Sequence, residues 1–439
     1  VNFHLPTLIT TLRHDPLLGK VVRSSARLFS SNSLSLALSM AQGILAARLL
    51  GPAGYGLLGI VMGYASTING LLSFRMSELV VRYGGEYLER NDRHQAAAVI
   101  KAASLVEGVV SAIAFLAVLS SAGLAARYLA KTPGVEGLFI VYALGLLANF
   151  NLETSTGILQ VTGKIHLQGA INLAQTLLSA AVIAAAFSLQ GDLKAVLGAY
   201  LLGKIILGLS MFVTAQIHLR RVLQRSWWDA PIRSLPRIRE MMRFAVSSNL
   251  SATIILVFRE SEILWVGLFL STEAAGYYKA AYAIVSLLSV PANPLILTVY
   301  PELNRLVVQK AWPRLRDFLR KVTTLSFAYN LLLALGLVLF GRWVLWIYGP
   351  QYVVAYPAMM ALLVGFVFNY TLFWNRPLLL SLGLPEFPLK ATLVAGLLKL
   401  ALAFPLVPRL GYVAEAALLT FYYLTSVGAI AWRGWKEIC

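Results

Sequence analysis

Twelve stretches of about 20 mostly apolar residues recur along this 439-residue chain, the length an α-helix needs to cross the hydrocarbon core of a bilayer. They fall at 30–49, 54–74, 99–120, 134–152, 167–189, 195–217, 245–270, 275–299, 323–346, 356–375, 387–407 and 410–432. The longest gaps, 75–98, 218–244 and 300–322, are too short for a soluble domain. A transmembrane β-barrel would show alternating strands of about ten residues, not runs of this length. The expected fold is therefore an all-α polytopic membrane protein, with about twelve helices in two six-helix bundles around a central cavity.

Composition narrows the alternatives. Only 13% of residues are charged, against about 25% in soluble domains, and the net charge is +18. In a soluble chain such a balance would point to nucleic acid, but here the basic residues sit between apolar runs. Counted along the alternating loops, 27 of the 37 Lys and Arg fall on the side of the termini, seven on the other side and three inside spans. The positive-inside rule then places both termini in the cytoplasm, consistent with an even number of crossings of a cytoplasmic (inner) membrane. Residues 1–29 lack a long apolar core followed by a small-residue cleavage site, and an interfacial amphipathic segment is the expected form. Cys439 is the sole cysteine, so no internal disulfide is possible. The five histidines show no ligand spacing, and no phosphate-binding glycine loop occurs, so neither metal nor nucleotide cofactor is expected.

The chain also repeats itself weakly. Leu50-Gly51-Pro52-Ala53-Gly54-Tyr55-Gly56 follows span 1, and Leu270-Ser271-Thr272-Glu273-Ala274-Ala275-Gly276-Tyr277-Tyr278 follows span 7. Ser77-Glu78-Leu79 and Pro301-Glu302-Leu303 each open a basic loop. The implied organisation is a bundle over 30–217, a basic linker over 218–244, a second bundle over 245–433 and a tail from 434 to 439. Six spans per half make the repeats parallel, which suits alternating access.

These same turns resemble the polysaccharide-unit flippases of the multidrug/oligosaccharidyl-lipid/polysaccharide (MOP) exporter superfamily. So do Glu262-…-Gly267-Leu268-Phe269-Leu270-Ser271 and Tyr300-Pro301-Glu302-Leu303. Family members often carry Asp where Glu262 stands. The resemblance implies export of a lipid-linked oligosaccharide, as in O-antigen and lipopolysaccharide assembly. It also implies that spans 1, 2, 7 and 8 line the central cavity. Polysaccharide polymerase and chain-length machinery would be working partners, alongside membrane lipids.

Polar residues at helical spacing mark candidate cavity faces: Asn32 and Gln42 on span 1, Asn69 on span 2, Asn249 on span 7, and Tyr278, Tyr282 and Asn293 on span 8. On spans 1 and 2 helix packing explains such residues equally well. Ionisable groups inside spans are costly and so point to function. Lys204, Arg259 and Lys399, with Arg48 at the end of span 1, are candidate cations for a pyrophosphate. Glu107, Glu260 and Glu262 are candidate carboxylates for H⁺ or Na⁺ coupling, whereas Glu415 reads as interfacial. Pro291-Ala292-Asn293-Pro294 is expected to interrupt span 8. A multidrug or metabolite antiporter would use the same architecture with a coupling carboxylate. A membrane glycan polymerase or ligase would need a catalytic outer loop, and the outer loops here are short.

Overall fold

The computed structural model describes the backbone of residues 16–223, 227–231, 235 and 238–438. The side chains of 16–33, 227, 246–248, 250–252, 293, 294, 297 and 298 lie outside that description, so the calls on Asn32 and Asn293 do too. Every regular element among the described residues is helical.

The first half comprises α1 (Pro16–Leu72), α2 (Arg93–Ala125), α3 (Glu136–Ala148), α4 (Leu152–Val161), α5 (Ile165–Ser188) and α6 (Leu193–Leu223). The second comprises α7 (Ile238–Ile255), α8 (Glu262–Phe269), α9 (Thr272–Val285), α10 (Ser289–Val308), α11 (Trp312–Tyr348), α12 (Tyr356–Thr371), α13 (Glu386–Leu410) and α14 (Tyr412–Ile438). Among the described residues nine helical stretches are long and apolar enough to cross a bilayer. The first of them bends at Gly51 into two crossings. The pairs α7–α8 and α9–α10, each broken within a crossing, complete the twelve. Leu332, Leu339 and Trp343 of α11 are each at least 65% exposed, a belt that only lipid would cover without cost.

Three breaks have local causes. Gly51 adopts φ 65°, a conformation that needs no Cβ, and Pro52 follows where a helix start tolerates a missing N–H. Span 4 is shorter than the apolar run predicts: α3 stops at Ala148, and α4 forms where a loop was expected. In span 8 the interruption falls at Ser286–Leu288 rather than at the prolines. Pro291 instead occupies the first turn of α10, where its absent N–H breaks no helical hydrogen bond.

The two repeated turns meet. A Cβ on Gly56 would overlap the carbonyl of Thr272 and lie 2.6 Å from the amide nitrogen of Gly276. One on Gly276 would lie 2.8 Å from the carbonyl carbon of Pro52. Backbone therefore touches backbone between the halves, which is how helices associate where water supplies no hydrophobic drive. Aromatic rings close the same end. Tyr55 packs edge-on against Tyr352 with centroids 6.1 Å apart, and Tyr277 contacts Tyr352 at 6.0 Å and Tyr412 at 5.8 Å. Lys279 Nζ sits 4.0 Å from the Tyr55 ring centroid. Tyr352 also donates to the Ala47 carbonyl at 3.2 Å. This seal lies opposite the basic loops.

Replacing Gly56 with Leu forces these backbones apart. In a Cys439→Ser background, Ala275→Cys, fully buried in the seal, is expected to react much faster with a membrane-impermeant maleimide when Gly56→Leu is also present. Equal labelling with and without that change would show that the turns do not form the seal.

Candidate functional site

Span 7 builds the site by breaking. Its helix widens into a π turn over Leu256–Glu260 and stops at Ser261 (φ −91°, ψ 15°) before α8 begins at Glu262. The carbonyl of Val257 freed by the break receives two donors, Ser261 Oγ at 2.7 Å and the Trp265 indole N–H at 3.2 Å. π turns of this kind recur at functional sites because they re-aim neighbouring side chains.

Arg259, on the π turn, lines a cavity of about 500 Å³ in the second half. Its guanidinium lies 5.6 Å from the Tyr423 ring centroid. Arg376, Asn369, Asn375, Tyr370 and Tyr422 also face this space, and no Asp or Glu is among its described lining residues. Arg376 is exposed at the mouth, within electrostatic reach of the Arg75–Glu78 ion pair of the first half. This side of the cavity therefore lies at the basic end and toward the first half. In sequence Arg376 belongs with the topology-determining loop charges. It shares the cavity with Arg259 because the short helix Asn375–Ser381 packs against α14 and α10.

Behind this cavity three charged side chains meet in the dry interior. Lys399 of α13 contacts Glu262 of α8 and lies 3.0 Å from Glu415 of α14. The side chains of all three are at most 4% exposed. Tyr278 of α9 donates its hydroxyl to Glu262 Oε2 at 2.8 Å, and Lys399 donates to the Phe258 carbonyl at 3.4 Å. Gly396, one turn before Lys399, leaves room for the Phe258 ring to lie against the α13 backbone. Removing one member of such a buried pair costs about 3–5 kcal/mol, because the remaining charge is left unpaired.

This geometry reassigns several expectations. Lys399 is taken up by carboxylates instead of projecting into the cavity. Glu415, expected at the interface with water, is fully buried. Tyr278 is buried against Glu262 and does not line open space, whereas Tyr282 is half-buried between Tyr278 and Phe366, with ring centroids at 6.2 and 5.5 Å. Gln42 is also buried, donating to the Thr176 carbonyl at 2.7 Å, a packing contact. Arg48 is exposed at the sealed end, donating to the Ile347 carbonyl at 2.7 Å and lying near Trp346. It therefore belongs to the clasp rather than the cavity. Lys204 stays inside the first bundle, its Nζ 4.9 Å from the Tyr142 ring centroid and its stem against Gly145. Asn69 and Asn249 are half-buried, and Glu260 is exposed beside Arg259.

Glu107 has a structural occupation. Its two oxygens accept from the backbone N–H groups of Glu153 at 2.7 Å and Thr154 at 2.9 Å. It thus caps α4 from another helix and explains why a chain break at membrane depth is tolerated. Glu107→Ala orphans both amides and is expected to cost about 1–2 kcal/mol of stability, seen as a lowered unfolding midpoint, with transport per folded molecule retained. Full stability with lost transport would overturn the capping role.

The polysaccharide biosynthesis protein family model matches residues 21–307 of the chain. Inner membrane protein YghQ of Escherichia coli (strain K12) is 26% identical over 351 residues, covering 78% of this chain and 96% of that protein. Solved MOP-superfamily transporters share the fold. An inward-facing multidrug resistance MATE family transporter superposes with a TM-score of 0.72 at 18% identity, covering 92% of this chain and 94% of the other. A transporter from Pyrococcus furiosus, described as having a binding pocket of reverse polarity, gives 0.67 at 18% identity with 97% of both chains covered. An outward-facing MATE transporter gives 0.62 at 16% identity, also with 97% of both chains covered. With the family model matching well over half of a chain of this architecture, the chain belongs to the polysaccharide biosynthesis protein family.

Proposed function

We propose that this transporter flips a polyprenyl-pyrophosphate-linked oligosaccharide from the cytoplasmic to the outer leaflet by alternating access. The observation that carries this reading is the cavity holding Arg259 and Arg376 among tyrosines and asparagines, with no carboxylate among its described lining residues. A pyrophosphate cannot enter hydrocarbon unaided, and guanidinium groups bind its oxygens with short, charge-assisted hydrogen bonds. Tyrosine faces and asparagine amides suit sugar rings, which offer apolar CH faces and hydroxyl edges. A cationic drug would meet two positive charges and, among the described lining residues, no carboxylate, which disfavours multidrug antiport.

The basic end, with its open cavity mouth, is taken as cytoplasmic under the positive-inside rule. The cavity then faces the leaflet where the lipid-linked unit is made, and the seal formed by Tyr55, Tyr352 and Lys279 is the outer gate. The exported unit would be delivered to polymerising machinery on the outer face.

In proteoliposomes carrying a fluorescent pyrophosphate-linked oligosaccharide, Arg259→Ala and Arg376→Ala are each expected to slow leaflet exchange about tenfold or more. That corresponds to the loss of charge-assisted contacts worth about 1.5–3 kcal/mol. Wild-type exchange in both variants, or efflux of cationic dyes without glycan movement, would overturn the proposal.

A further inference from the structure

The seam between the halves holds a cation. Gly56, Gly59 and Gly63 share one face of α1 beyond its bend, turned toward α8 and α9. A Cβ on Gly59 would lie 2.8 Å from Lys279 Cδ and overlap Ile263 Cδ1, so the missing side chain leaves the groove in which the lysine stem rests. Ile263 stands four residues, about one helical turn, beyond Arg259 on the way to the seal. Lys279 therefore sits in the seam beyond the cavity arginine, between it and the closed end.

Little holds its charge there. Lys279 Nζ has the Tyr55 ring at 4.0 Å and a long hydrogen bond to the Tyr55 carbonyl at 3.5 Å. Among the described residues no carboxylate pairs with it, and Glu273 of the neighbouring turn is taken by the Tyr277 hydroxyl at 2.7 Å. The other hydrogen bonds described between the halves at this end also run to backbone carbonyls. Arg48 donates to Ile347 and Lys131 to Leu270, both at 2.7 Å, and Tyr352 donates to Ala47 at 3.2 Å. An ammonium inside a span with a ring face and one long hydrogen bond is poorly solvated. A neutral carbonyl also competes weakly with a charged phosphate oxygen for it.

We infer that Lys279 is the exit-side receptor for the pyrophosphate group, an anion site that forms only when the seam opens. The inference rests on the transporter reading above and names how the same anion leaves. In the closed seal the ammonium is covered by Tyr55. When the halves rock apart, Tyr55 withdraws with α1 and Lys279 stays on α9, facing the space that opens toward the outer leaflet. The pyrophosphate group then takes the place of the ring and the carbonyl, with no covalent bond changed. It binds Lys279 in the open form and not in the closed one, so its arrival stabilises the open form. A ligand shifts a conformational equilibrium only through such a difference. The gate is thus held open by the group that passes through it.

Proteoliposomes of a Cys439→Ser, Ala275→Cys protein test the site with inorganic pyrophosphate as the probe. Pyrophosphate and a membrane-impermeant maleimide are both added outside, so that only molecules presenting the sealed end respond. Pyrophosphate is expected to raise the labelling rate about fivefold or more over sodium chloride of equal ionic strength, the lower end of ordinary coupling between sites. Lys279→Gln is expected to abolish this acceleration, and Lys279→Arg to keep it. Each ratio is taken within one variant, so a change in the resting seal does not enter. No acceleration with Lys279 in place, or the same acceleration in Lys279→Gln, would overturn the site. In the leaflet-exchange assay Lys279→Gln is expected to slow glycan movement about tenfold, as for loss of one charge-assisted contact. Glycan movement at the wild-type rate in that variant overturns the role of Lys279 in export and leaves the flippase reading in place. Acceleration by pyrophosphate through Lys279 with no glycan movement in the wild type leaves the anion site intact and sinks the flippase reading instead.

Discussion

Hydrocarbon offers no hydrogen bonds, so each place where a transmembrane helix breaks must find partners inside the protein. The parts of this molecule that bear on function sit at such breaks. Between α3 and α4 the exposed amides are taken by Glu107. Between α7 and α8 the freed carbonyls are taken by Ser261, Trp265 and Lys399. The first repair uses a carboxylate that the sequence offers for ion coupling and the structure places as a helix cap. The second brings Lys399 and Glu262 together and so creates the charged cluster at the same point.

Charge burial follows from that constraint. Arg259 keeps a surface in the cavity because the π turn rotates it away from the packed face, while Glu262, three residues on, is turned inward. One broken helix thus presents a cation to the cavity and an anion to the interior. The glycine contacts at the sealed end do complementary work. Gly56 and Gly276 allow close backbone approach between the halves, and the tyrosine cluster gives that contact area and direction. Small residues and aromatics close one end of the molecule, and the arginine-lined cavity lies toward the other.

Much of the architecture was legible in the chain. The apolar runs and the repeated Gly-Tyr turns are local signals, and they map onto observed helices and onto an observed contact. The site was only partly legible. Arg259 was recognisable because an arginine inside an apolar run is costly wherever it falls. Arg376 was not, because a cation just beyond a span has the same local pattern as any topology signal. Lys399 and Glu415 were misjudged for a related reason. They lie 16 residues apart on separate helices, and each is 137 or more residues from Glu262. No periodicity within one helix reports such a meeting.

By itself, then, the sequence determined that this chain is helical and crosses a membrane about twelve times, because the hydrophobic length of a span is a property of the span alone. Only the tertiary structure decided which ionisable groups face the cavity and which neutralise one another. A buried charge is defined by its neighbours, and here those neighbours arrive from α8, α9, α13 and α14 at once.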